Sequence, residues 1–76
     1  MPLNKTERAR LKTFGDNVRR ERCAKGLTQE KLAELANIST RNLQKVEAGQ
    51  INILLTTAIR IQFGLRCPWK RLMPPD

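Results

Sequence analysis

Two short runs of apolar residues separated by a turn constrain this chain more than any other feature. They lie in Thr28–Gly49, T-Q-E-K-L-A-E-L-A-N-I-S-T-R-N-L-Q-K-V-E-A-G. From Thr28 to Ala36 the apolar residues Leu32, Ala33, Leu35 and Ala36 recur at helical spacing. Thr28 stands where an N-cap is needed, and Asn37 follows the run. Asparagine tolerates the left-handed conformation in which a chain often leaves a helix. Ile38 is the one apolar residue of the turn and is expected to plug the angle between two helices. Ser39 offers a second cap. A further helix is expected from Thr40 to about Ala48, with Leu43, Val46 and Glu47 on one face and Gly49 closing it.

Helix, tight turn, helix is a geometry that places its second helix in the DNA major groove. The outward positions of that second helix are Thr40, Arg41, Asn42, Gln44 and Lys45. Each can hydrogen-bond a base edge or a phosphate. Ordinary solvated helix faces mix in acidic residues, and this face has none.

The segment G-L-T-Q-E-K-L-A-E-L-A-N-I-S-T-R-N-L-Q-K-V-E-A-G resembles the helix-turn-helix of the phage-repressor and Cro-like (Xre-type) DNA-binding proteins. It is also similar to the small controller proteins of restriction–modification systems. The likeness runs from about Phe14 to Leu72. It rests on G-L-T-Q-x-x-L-A, a turn ending in serine, and a closing x-x-E-x-G. The resemblance implies an all-α, compact five-helix, lambda-repressor-like domain. It implies base reading by Thr40, Arg41, Gln44 and Lys45. Arg41 suits guanine, Gln44 suits adenine, and the Thr40 methyl suits thymine. Gln29 corresponds to a family glutamine that binds a phosphate at a helix N-terminus, where free N–H groups also favour an anion. Thr28, Asn42, Gln50, Asn52, Arg19 and Arg20 are further phosphate candidates. Arg22 and Glu47 match a family pair, expected to be structural: a partly buried acid needs a partner.

Charge agrees with a polyanionic partner. The chain has 76 residues, a net charge of +8 and an isoelectric point near 10.6. Lys5–Lys25 holds eight basic and three acidic residues, over half of the excess. Within it Leu11, Phe14 and Val18 mark one buried face of a first helix, expected from Leu11 to Lys25 or from near Thr6. Gly26 ends it and Leu27 turns into the core. Residues 1–10 read as a basic segment that includes the possible start of this helix, 11–73 as the DNA-binding domain, and 74–76 as a tail. Cys23 and Cys67 read as free thiols. No run approaches a membrane span, and the N-terminus lacks an apolar signal region, so a cytoplasmic location is expected.

After Gly49, the apolar set Leu55, Ala58, Ile61 or Gln62, and Leu65 predicts a fourth helix over about 53–65, with Asn52 as its cap. The β-branched content would also suit a strand. Pro68 opens a last short helix, with Trp69 and Leu72 packing inward. Several residues depart from the family pattern: Glu21, Ile53-Leu54, Gln62, Phe63, Gly64 and Arg66. Ile51, Ile53, Leu54, Ile59 and Phe63 exceed what one small core needs. They are a candidate dimer interface.

These observations favour a sequence-specific transcriptional regulator that binds a palindromic operator as a homodimer. The alternative is a protein-interaction module on the same fold, antitoxin-like or coactivator-type. An enzyme is not expected: the sequence has no histidine, no metal-ligand cluster, no phosphate loop and no paired carboxylates in a plausible cleft. No cofactor, metal or small-molecule ligand is expected. Three aromatic residues are too few for a membrane surface or for RNA stacking.

Overall fold

In the computed structural model, which describes residues 2–75, caps written into the sequence set most of the helix boundaries. Helix α1 spans Lys5–Ala24. The Glu7 backbone N–H donates to Asn4 Oδ1 at 2.7 Å, and the Asn4 N–H donates back to Glu7 Oε1 at 3.0 Å. This reciprocal capping box starts the helix well before Leu11. Residues 5–10 are therefore helical, so the basic N-terminal segment holds the start of α1. Met1 and Asp76, the outermost residues of the expected N-terminal segment and tail, lie outside the described residues.

Helices α2 (Gln29–Ala36) and α3 (Thr40–Glu47) flank the expected turn. Thr28 Oγ1 accepts from the Lys31 N–H, and Ser39 Oγ accepts from the Asn42 N–H, both at 3.0 Å. Asn37 ends α2 in the left-handed region at φ 56°. Ile38 is half-buried against the core.

Helix α4 spans Leu55–Leu65 and α5 spans Trp69–Leu72. The start of α4 falls two residues after the expected Ile53, and neither Asn52 nor any other side chain caps it. Ile53 instead packs half-buried against the core, which holds this stretch extended. Pro68 is the N-cap of α5 rather than its first residue. Arg66 occupies the left-handed region at φ 54°, where an L-residue costs about 1–2 kcal/mol. This explains why glycine suits the position. Gln62 Nε2 donates to the Cys67 carbonyl at 2.9 Å and steadies the corner.

The five helices enclose one core, and the described residues include no strand. Leu32, Leu43, Ile61, Leu65, Leu72 and Val18 are fully buried. Each such aliphatic side chain contributes roughly 1.5–3 kcal/mol on burial. Helix α4 packs on α2, and α1 packs on α3 and α5. The α1–α3 contact is close enough to require glycine. A Cβ on Gly15 would overlap the Val46 carbonyl oxygen and lie 2.8 Å from that of Glu47. Gly49 has φ +69°, and a Cβ there would meet the Lys12 backbone at 2.8 Å.

Two expected core residues lie elsewhere. Leu55 is 74% exposed, and Trp69 stands at the surface, while Leu72 beside it is buried. Both line an apolar groove of about 630 Å³ together with Leu3, Leu11, Phe14 and Ile53. Cys23 and Cys67 are free thiols, and burial pushes the Cys67 thiol above its ordinary pKa.

Candidate nucleic-acid interface

Helix α3 turns Leu43, Val46 and Glu47 inward and leaves Arg41, Gln44 and Lys45 exposed; Thr40 and Asn42 are half-buried at its first turn. The outward face therefore carries two cations and an amide, and its eight-residue helix has one acid, which is 5% exposed.

That acid, Glu47, fixes the helix to α1. Arg22 Nε donates to Glu47 Oε2 at 2.8 Å and Arg22 Nη2 donates to Glu47 Oε1 at 3.1 Å. Such a two-point guanidinium–carboxylate pair fixes orientation as well as distance. The third Arg22 nitrogen, Nη1, donates to the Leu27 carbonyl at 2.9 Å, so one guanidinium joins α1, the α1–α2 corner and α3. The hydrogen bond to Glu47 raises the Arg22 pKa, outweighing the opposing effect of burial.

Gln29, at the start of α2, extends this contact outward. Its Nε2 donates to Glu47 Oε1 at 3.1 Å, and its Oε1 accepts from Gln44 Nε2 at 3.3 Å. The side chain is thus engaged with α3. Thr28 is exposed, and its oxygen serves as the cap of α2 while its O–H can still donate.

A polar cleft of about 530 Å³ opens beside this cluster. Lys12, Arg19, Arg22, Gln29, Gln44, Glu47 and Ala48 line it. Arg19 therefore flanks the outward face of α3, together with Lys12, a residue that the motif reading passed over. Their spacing of seven, two helical turns, was the available signal. Lys12 Nζ also donates to Asp16 Oδ1 at 2.7 Å across exposed side chains.

Arg20 does not join this cluster. Its guanidinium donates to Asn17 Oδ1 at 3.0 Å and to the Arg71 carbonyl at 2.8 Å, and it pairs with Glu21. Glu21, 6% exposed, also faces the Arg71 guanidinium at 3.7 Å. The reason is angular: one residue along a helix turns the side chain by about 100°, so Arg20 faces α5 when Arg19 faces the cleft. Gln50 is exposed after α3, and Asn52 lines the apolar groove rather than the cleft.

The apolar candidates also divide. Ile51 and Ile53 pack against the core and are not surplus. Leu54, Ile59 and Phe63 are 69%, 46% and 75% exposed.

A capped pair of helices around a left-handed asparagine, with the second helix pinned from behind and cationic in front, defines a helix-turn-helix DNA-binding domain. A helix-turn-helix family model matches residues 18–69. The chain belongs to this family, the Xre-type regulators that bind DNA and act on transcription. Its family and fold are those of DNA-binding regulators rather than enzymes. It is similar to the restriction–modification controller protein C.AhdI from Aeromonas hydrophila. That structure shares 35% identity and a TM-score of 0.81, covering 86% of this chain and 98% of C.AhdI. A point mutant of the restriction–modification controller protein C.Esp1396I shares the fold, with 24% identity and a TM-score of 0.76. The alignment covers 82% of this chain and 88% of that one. No curated protein matches the sequence. Among the described residues, no helix is long and apolar enough to cross a membrane, and no cluster of side chains suits a metal ion.

Proposed function

We propose that the protein is a sequence-specific transcriptional regulator that binds a palindromic operator as a homodimer, with Thr40–Lys45 of α3 in the major groove. The observation that carries this reading is the exposed, acid-free Arg41–Gln44–Lys45 face on a helix anchored through Arg22 and Glu47. Arg41, Gln44, Lys45 and Thr40 read base edges. Gln29, Thr28, Asn42, Gln50 and Arg19 serve the phosphates, and Lys12 joins them from the cleft; Asn52 is left out, because it lines the apolar groove. Arg20 is left out, because its guanidinium holds α5. The exposed Leu54, Ile59 and Phe63 form the subunit contact. A two-fold dimer then presents two reading helices to half-sites about one turn apart, roughly 34 Å. Of the regulators with this fold, a restriction–modification controller fits best, on the likeness to C.AhdI along nearly its whole length.

Selection from genomic fragments with purified protein, followed by footprinting at physiological salt, tests this reading. The expected result is a protected two-fold symmetric site beside restriction–modification genes. Arg41→Ala should lose about 1–3 kcal/mol at particular base pairs, as expected for a lost bidentate guanine contact. Lys12→Ala should weaken all sites alike and reduce the salt dependence. Binding without any preferred sequence would overturn the operator reading and leave an interaction or architectural module.

A further inference from the structure

Resting on the reading that α3 enters the major groove, we infer that the buried Glu47 carboxylate sets the base preference of Gln44 through Gln29. The argument is one of hydrogen-bond polarity. An ionised carboxylate only accepts, whereas a glutamine amide has an accepting oxygen and a donating nitrogen. Arg22 engages both oxygens of Glu47 from α1. Gln29 also meets Glu47 Oε1, so its amide nitrogen faces inward and donates, at 3.1 Å. Its oxygen is thereby turned toward Gln44. That oxygen accepts only, so Gln44 gives it an N–H, at 3.3 Å. The free groups of Gln44 are then its carbonyl oxygen and one remaining N–H.

A free glutamine amide can rotate to offer either edge to a base. Here one orientation is favoured by a chain of hydrogen bonds that begins in the core, on a residue that touches no base. The groups left to Gln44 match one base best. Adenine presents an N6 donor beside an N7 acceptor in the major groove. Guanine presents two acceptors, O6 and N7, which would set its O6 against the Gln44 oxygen. Thymine presents an O4 acceptor and a methyl group, and cytosine presents one donor. Gln44 therefore selects adenine, and Gln29 is a positioning residue for that choice. Arg41 lies outside the chain of bonds, so its base pair serves as an internal control.

Base preferences should be measured by binding selection from a randomised operator library, for the wild type and four variants. Gln44→Ala identifies the base pair that Gln44 reads. There the wild type should favour adenine over guanine by about tenfold, within the range of a bidentate contact. Gln29→Ala frees the amide to rotate, and the preference should fall to about twofold or less on the same scale. Gln29→Lys replaces the acceptor facing Gln44 with a donor. The Gln44 oxygen should then turn inward and the preference should invert toward guanine. Preferences at the pair identified by Arg41→Ala should stay unchanged in both Gln29 variants, a result that general loss of stability does not give. An adenine preference that survives both Gln29→Ala and Gln29→Lys overturns the positioning role while leaving the operator reading intact. A Gln44→Ala profile identical to the wild type overturns the base contact itself. A wild type with no sequence preference overturns the underlying DNA-reading proposal and the inference with it.

Discussion

At the front of the molecule, α2 and α3 each begin on a side-chain cap, from Thr28 and Ser39; at the back, α4 and α5 begin on Leu54 and Pro68 with none. The front also satisfies its one buried acid twice over, through Arg22 and Gln29. The back instead exposes Leu54, Leu55, Ile59 and Phe63. The contrast separates two structural tasks. Base reading needs side chains held to a fraction of an ångström, which demands local order within one subunit. A subunit contact gains its order from apolar burial against the other copy, so its surface looks unfinished in isolation. In the proposed dimer the back is completed only by assembly.

The front half is tested most severely by Glu47→Ala. It leaves Arg22 nearly buried without its carboxylate, and breaking a buried pair from one side costs about 3–5 kcal/mol. Chemical denaturation should show that loss as a fall in midpoint at unchanged slope. A loss below about 1 kcal/mol, the range of exposed pairs, would mean that the ion pair does not anchor α3.

Gly15→Ala probes the same anchor at backbone level. The added methyl would overlap the Val46 carbonyl and crowd that of Glu47, where neither can swing aside as a side chain does. Forced overpacking of this kind costs about 1–3 kcal/mol. Because the strain acts on the last turn of α3, operator affinity measured below the melting range should fall as well. Normal stability together with normal affinity would show that α1 and α3 can separate freely.

The sequence made the front half legible because its determinants are local. Thr28, Asn37 and Ser39 mark their own turn, and the i, i+3, i+7 pattern of Leu11, Phe14 and Val18 needs no partner to be read. What stayed hidden depends on packing between distant segments. Glu21 departs from the family pattern, and it is buried because Arg20 and Arg71 face it, the latter fifty residues away. Arg20 looked like a phosphate contact for the same reason: nothing near it in sequence announces α5. Gly15 carries no periodic signal, since its role is an absence of side chain opposite two carbonyls of α3. Leu55 fits the buried spacing of α4, yet it lies at the first helical residue, where the core has already been filled by Ile53 from the preceding extended stretch. The outward face of α3 was readable residue by residue, whereas the Gln29–Gln44 contact across two helices was not.

The smallest effect separates the halves most directly. Leu54→Ser supplies the missing cap to α4, at a position whose backbone is already extended, as an N-cap requires. The substitution should stabilise the isolated chain by about 1 kcal/mol, the ordinary gain from a serine cap. It also deletes a leucine that is 69% exposed in the single chain. If the back is completed by a second copy, that leucine is covered in the dimer, and its removal should weaken association while the monomer gains. Thermal melting at low protein concentration, read beside sedimentation equilibrium across a concentration series, resolves the two signs. A more stable chain that dimerises less well is the expected outcome. A more stable chain with undiminished association would remove Leu54 from the interface and leave Ile59 and Phe63 to carry it. A less stable chain at low concentration would show that Leu54 already has a packing role within one subunit, which would blur the distinction between the two halves.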